Sequence, residues 1–369
     1  EILREAWGFE GFITSDGGGT EQLRSIHHVA ESLAEAASKA LQTGIDFELD
    51  HCFHLLTEQI QSGSIPETLI DQAVLRILRA KQILGLFQFC AAVPEQARGI
   101  NNCAAHRELA RKTAQKAIIL LKNENDLLPL DLEKIGTLAV IGPNADRTLL
   151  GGYTGRPRYY TTVLQGIRDK AGSDVTVLYS EGCKLTLGGS WNDDAITFSD
   201  PEEDRRSIAA AVATAEKADY VVLVLGGNEQ TSREAWNRGH MGDRANLELF
   251  GMQNDLVKAI AALGKPMVAV LFNGRPNSCV VLDQHVPAIL ECWYLGQESG
   301  NAVADVLFGD ISPSGKLPMS FPRSAGHLPC YYNYKPSARR GYLADDVSPL
   351  YAFGYGLSYT TFALSNVRL

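Results

Sequence analysis

The 369-residue chain is 45% hydrophobic and 21% charged, ordinary values for a globular protein and enough length for two domains or more. A formal charge of -9, with no basic stripe carrying interleaved aromatics, excludes a general nucleic-acid surface. No apolar run nears the roughly 20 residues that span a bilayer, and the N-terminus has no basic-then-apolar leader, so the expected partner is a small neutral or polar molecule, with no nucleic acid and no membrane. The chain opens Glu1-Ile2-Leu3, and residues 1–7 read as the end of a helix already under way. Phe9, Phe12 and Ile13 then form an apolar run of strand length that stops at Ser15-Asp16, before three glycines. Asp16 has two readings: a carboxylate presented at a strand's C-terminal edge, where α/β folds place ligands, or a cap for the following helix.

Ser32 to Thr43 is Ala-rich with apolar positions at helical spacing, and Gly44 stops it. Ile45-Asp46-Phe47-Glu48-Leu49 alternates as a short strand would. Another helix follows, and Ser64-Ile65-Pro66-Glu67 starts a further one over Leu69 to Leu86. Strand, helix, strand, helix, with acids near strand ends, is the grammar of a βα barrel, of which about two units in eight are present.

Phe87 to Cys103, irregular and holding Pro94, reads as a linker, and a helix over Arg107 to Asn123 opens a second region. Strands are predicted there at Thr137 to Ile141, Val175 to Tyr179, Tyr220 to Leu225, Met267 to Phe272 and Ala288 to Trp293. The helices among them are Arg206 to Ala218, Asn254 to Leu263 and Gly300 to Phe308. Near-continuous Val/Ile/Leu strands alternating with amphipathic helices predict a mostly parallel sheet covered on both faces. From Ser312 the chain becomes turn-rich and aromatic, and Phe362 to Leu369 reads as a single strand.

The seven cysteines are scattered, with no CxxC pair and no His at metal-ligand spacing, so they read as isolated thiols and neither metal nor cofactor is expected. The chemistry-bearing feature of the second region is the long polar excursion after the Tyr220 to Leu225 strand, Gly226-Gly227-Asn228-Glu229-Gln230-Thr231-Ser232-Arg233-Glu234-Ala235-Trp236, which runs on to Gly242-Asp243-Arg244. Loops of this length are functional or disordered, and Trp236 beside Glu234 suits a sugar-stacking surface. Two carboxylates from separate elements, one ionised and one kept protonated until needed, can break a glycosidic bond. The other reading is a surface loop of solvated charges, and spacing alone leaves both open.

Taken in order, these motifs resemble the family 3 glycoside hydrolases, and within them the β-xylosidases and β-glucosidases. Gly11-Phe12-Ile13-Thr14-Ser15-Asp16 is similar to the family's nucleophile strand, and His27-His28-Val29-Ala30 and Gly44-Ile45-Asp46-Phe47-Glu48 to the segment after it. Gly151-Gly152-Tyr153-Thr154-Gly155-Arg156-Pro157, Gly309-Asp310-Ile311-Ser312-Pro313-Ser314-Gly315-Lys316-Leu317-Pro318 and Phe353-Gly354-Tyr355-Gly356-Leu357-Ser358-Tyr359-Thr360 extend the likeness through the chain. The resemblance implies an α/β architecture: the end of a (β/α)8 barrel over 1–88, a linker over 89–105, and an α/β sandwich over 106–325. An aromatic connector over 326–361 and the first strand of a fibronectin type III-like domain over 362–369 would follow.

It further implies a retaining, exo-acting hydrolase of terminal β-D-xylosyl or β-D-glucosyl residues, its active site between barrel and sandwich. Asp16 matches the nucleophile. Alignment on Gly242-Asp243-Arg244 and Gln253 favours Glu234 as acid/base, with Glu229 in reserve, and Trp236 and Arg244 are the expected substrate-binding residues. The substrate would be an oligosaccharide or aryl β-glycoside, and a homodimer is the assembly to test. Gly17 stands where glucosidases commonly have Trp and xylosidases Cys. The family's sugar-holding Lys-His pair and a further Asp would precede residue 1, so the chain is expected to be a C-terminal piece with little activity by itself. A catalytically inactive carbohydrate-binding relative and a phosphate-using or N-acetylglucosaminidase-type member are the alternatives.

Overall fold

The structure is a computed structural model that describes residues 2–49, 51–88, 93–236, 239–335, 341–363 and 365–366. It divides into two compact units, Glu1–Arg98 and Gly99–Leu369.

In the first unit a π-helical turn, Ile2–Ala6, leads to α1 (Gly19–Ser25), α2 (Leu33–Thr43), α3 (Leu56–Gln61) and α4 (Glu67–Ile83). Helix α2 has the ends its sequence announces: the Ser32 side chain accepts from the Glu35 N–H, and Gly44 closes it in the left-handed conformation that a side chain would resist. A small core gathers Ala37, Leu41, Cys52, Leu56, Ile65 and Ala73. The two strands expected at 9–13 and 45–49 reduce to one parallel bridge, Thr14 to Phe47. Phe9, Phe12, Phe47 and Leu49 are exposed, so these extended segments lack the flanking neighbours that a parallel strand needs. Along 46–49 the acids face in, and Phe47 and Leu49 face out. Buried Asp46 accepts from Arg4 Nη2 at 2.5 Å, Arg76 Nη1 at 2.7 Å and the Ile13 N–H at 2.9 Å, and Glu48 accepts the Phe53 N–H. Two guanidinium groups and a backbone N–H are what make burial of the Asp46 carboxylate tolerable.

Within 87–103, read as irregular, the described residues form α5 (Pro94–Ile100), with proline at the first helical position, where its missing N–H costs nothing. The helix expected over 107–123 is α6 (Ala104–Ala117) followed by strand β1 (Ile119–Asn123). The chain turns extended at Ile118, and β1 pairs antiparallel with the last strand of the sheet.

Next come β2 (Thr137–Ile141), α7 (Val163–Ala171), β3 (Thr176–Ser180), α8 (Pro201–Ala215), β4 (Tyr220–Gly226), the single turn α9 (Glu229–Ser232), α10 (Gln253–Ala261), β5 (Met267–Phe272), α11 (Val280–His285), β6 (Ala288–Glu291) and α12 (Ser299–Leu307). The six strands lie in the order β1-β6-β5-β4-β2-β3, parallel except for β1. Both faces are buried, as apolar runs without alternation require. Leu138, Val140, Val222 and Val224 pack towards α6, α7 and α12. Ala139, Ile141, Leu223 and Leu225 pack towards α8, α10 and α11. The turn-rich segment returns to this sheet: Leu357 bridges Leu120 of β1, and Phe321 and Tyr351 bridge each other in the second core. The strand expected over 362–369 falls partly outside the described residues, at 364 and 367–369, and the described ones among them carry no strand.

Candidate functional site

β2 has β3 on one side and β4 on the other, and the helices that follow β2 and β4 cover opposite faces of the sheet. That is a topological switch point, where the loops leaving the strand ends diverge and open a crevice for a ligand. The loops after β2 and β4 are stitched together at their roots. Asn144 Nδ2 donates to the Gly227 carbonyl at 3.0 Å, and Gly142, at φ 135°, sits so close that a Cβ would lie 2.1 Å from the Val224 oxygen. Buried Gln253 holds the end of β4 from the other direction, accepting the Gly226 N–H and donating to its carbonyl, both at 2.8 Å.

Asn228 then opens α9 through a reciprocal cap: its Oδ1 accepts the Thr231 N–H at 2.9 Å while Thr231 Oγ1 accepts the Asn228 N–H at 2.8 Å. This places Glu229 on the first turn, half-buried, with Oε1 accepting the Leu150 N–H at 3.1 Å. Glu229 lines a crevice of about 390 Å³ with Asp146, Arg147, Gly151, Arg156 and Tyr160. Glu234 lies beyond the turn, and it is exposed. Its backbone is fixed: the Ala235 N–H donates to Asp243 Oδ1 at 3.1 Å, and a Cβ on Gly242 would fall 2.4 Å from the Glu234 carbonyl carbon.

Trp236 stacks on buried His240 with ring centroids 3.4 Å apart and planes 12° from parallel, and meets the edge of Trp191 at 5.2 Å. Trp191 in turn packs on the exposed Tyr153 at 4.5 Å. Arg244 lines a second cavity of about 370 Å³ with Phe198, His240 and Phe250. Its Nη2 donates to the Glu248 carbonyl at 2.6 Å, its guanidinium lies 5.4 Å from the Phe250 ring centre, and burial, with neighbouring Arg275, holds its pKa below the usual arginine range.

Glu229, Glu234, Trp236 and Arg244 thus all spring from the segment between β4 and α10. Asp16 belongs to the first unit. There the Ser15 N–H donates to the Phe47 carbonyl at 2.9 Å and Ser15 Oγ accepts the Leu49 N–H at 3.2 Å, fixing the backbone just before it. Asp16 itself is exposed, with Oδ1 on the Gly17 N–H at 2.8 Å and its carbonyl on the Gly19 N–H at 3.0 Å.

Models of the glycosyl hydrolase family 3 N-terminal and C-terminal domains match residues 1–80 and 118–359 respectively. The chain belongs to this family. Among the relatives of this family 3 chain, a β-xylosidase of Formosa agariphila is 41% identical over all of the chain and 51% of its own length. A periplasmic β-glucosidase of Salmonella typhimurium is 38% identical, with the same coverage of each. A solved β-glucosidase structure from Erythrobacter marinus superposes with a TM-score of 0.93 at 42% identity, over 98% of this chain and 50% of that one. The chain therefore spans about half the length of the curated relatives it matches.

Sequence reading singled out the acids and Trp236 but passed over Arg233, Trp191, His240 and Arg275. Trp191 and Arg275 reach the loop from other connections, so only the topology unites them with Glu234. Among the described residues no group of His, Cys, Asp and Glu is arranged to hold a metal ion, and no helix is long and apolar enough to cross a membrane.

Proposed function

We propose that the whole protein is a retaining, exo-acting β-glycosidase that releases terminal β-D-xylosyl or β-D-glucosyl residues, with Asp16 as nucleophile and Glu234 as acid/base. The names of its relatives, β-xylosidase and β-glucosidase, support that substrate class. The observation that carries the choice of acid is the contrast within one loop. Glu229 is half-buried and engaged by the Leu150 N–H, while Glu234 is exposed on a clamped backbone two residues before Trp236.

In the proposed double displacement the Asp16 carboxylate attacks the anomeric carbon as Glu234 protonates the departing oxygen, leaving a glycosyl ester on Asp16. Glu234, now ionised, takes a proton from water, whose oxygen attacks the same carbon and frees Asp16. The match of residues 1–80 to the family's N-terminal domain and the parallel bridge from Thr14 to Phe47, two residues before Asp16, support reading 1–88 as the end of a (β/α)8 barrel. The continuation at 362–369 is proposed as the start of a fibronectin type III-like domain.

Three measurements on the whole protein test this. A 2-fluoro sugar that traps retaining nucleophiles is expected to add its mass at Asp16; reversible binding without an adduct would leave a carbohydrate-binding relative in its place. Glu234→Ala is expected to lower kcat/KM on unactivated glycosides by about 10²–10⁴-fold, the usual worth of general acid catalysis. Azide should restore turnover of activated substrates by that variant, and rescue of Glu229→Ala instead would transfer the role to Glu229.

A further inference from the structure

The residue before Glu234 is a charged side chain with nothing exposed to solvate it. Arg233 is 4% exposed, and its guanidinium donates to three backbone carbonyls: Nε to Met241 at 2.6 Å, Nη1 to Trp191, and Nη2 to Asp194 at 3.1 Å. Removing a guanidinium from water is costly, and uncharged carbonyls return less of that cost than a carboxylate would. What this arrangement does fix is position. Met241 lies across the loop from Glu234, and Trp191 and Asp194 lie on the connection between β3 and α8, so one planar fork ties two backbone segments to the residue next to the acid. A second arginine completes the clamp, with Arg275 Nη2 donating to the Arg233 carbonyl.

We propose that Arg233 is a positioning residue for the acid/base: it holds the Glu234 backbone so that the carboxyl meets the departing oxygen. The inference rests on the assignment of Glu234 made above. Proton donation matters in proportion to the basicity of the leaving group, so a misplaced acid has a signature that general loss of structure lacks.

The test compares Arg233→Ala, Arg233→Lys and Glu234→Ala with the unaltered whole protein on 2,4-dinitrophenyl, 4-nitrophenyl and phenyl β-xylosides and β-glucosides, with and without azide. Arg233→Ala is expected to lose about 10²-fold in kcat/KM on phenyl glycosides, within the range of general acid catalysis, and far less on dinitrophenyl ones. Azide should raise its kcat on the latter and yield a β-glycosyl azide. Arg233→Lys should fall between, because an ammonium cannot serve three acceptors in one plane. Should Arg233→Ala fail to fold, Arg233→Lys and Asp243→Ala, which frees the Ala235 N–H at an exposed site, carry the same leaving-group comparison. An equal loss on all three leaving groups without an azide response, alongside azide rescue of Glu234→Ala, overturns the role of Arg233 alone. Absence of azide rescue in Glu234→Ala overturns the acid/base assignment and this inference with it.

Discussion

Glu291, at the end of β6, is fully buried. Its Oε1 accepts the Trp293 N–H at 2.9 Å and its Oε2 accepts from Asn273 Nδ2 at 2.7 Å, while Asn273 Oδ1 accepts from Asn277 Nδ2 at 2.5 Å. Burial outweighs those donors and pushes the Glu291 pKa from 4.5 up to about 8. A raised acid is protonated when folded and ionised when unfolded across that window, so the folded state binds the extra proton and stability falls as pH rises from about 5 to 8. Glutamine cannot titrate. Glu291→Gln should therefore flatten this part of the Tm-against-pH curve whatever its constant offset, the wild type losing on the order of a few kcal/mol relative to it by pH 8. Parallel curves for the two proteins would refute the assignment. At this scale the sequence is legible where chemistry is local: Glu234 beside Trp236 in a long loop stands out. Glu291, inside an Ala-Ile-Leu-Glu-Cys-Trp run, looks like a strand's exposed end until the sheet closes over it.

Helices α6 and α12 are joined by a different kind of buried acid. Arg111 grips Asp305 through two bonds, Nε to Oδ2 at 2.7 Å and Nη2 to Oδ1, and Gln115 Nε2 adds a third at 2.6 Å. Burial raises the Asp305 pKa, but these hydrogen bonds more than offset it and hold the carboxyl below its ordinary range. Arg111→Met would strand that carboxylate. Breaking a fully buried pair costs about 3–5 kcal/mol, and because the Arg111 side chain is 44% exposed the expected loss is nearer 2 kcal/mol in urea melts. A depressed acid contributes its stability above its unfolded pKa and loses it as pH falls through the folded one, so the gap between the two proteins should close in acid, below about pH 4. A gap that persists there would mean that lost packing rather than charge is responsible. The parallel strands were legible because burial on both faces demands unbroken apolar runs. β1 was not: Ile118-Ile119-Leu120-Leu121-Lys122 continues an Ala- and Lys-rich helix without glycine or proline to mark the change, and only pairing with β6 makes it a strand. The segments at 9–13 and 45–49 show the converse, strand-like sequences that form a single bridge.

At the scale of the molecule, the two units differ in how much apolar surface each buries within itself. The second has a core on either face of its sheet. Its edge strand is covered where the Leu357 N–H donates to Leu120 at 2.8 Å, and its tail is pinned by Tyr359 Oη on the Val306 carbonyl at 2.8 Å. The first has one small core, and Val74, Leu75, Leu78, Ile83 and Leu84 along and just after α4 stay exposed. Exposed apolar side chains contribute nothing to offset the entropy of ordering their helix. A polypeptide of Gly99–Leu369 alone is therefore expected to melt in one cooperative calorimetric transition with an α/β circular dichroism spectrum, and one of residues 1–98 to show no such transition. Loss of cooperativity in the 99–369 polypeptide would mean that its two cores need the first unit. A sharp transition in the 1–98 polypeptide would mean that the paired Asp46 cluster and its small core suffice without covering those side chains.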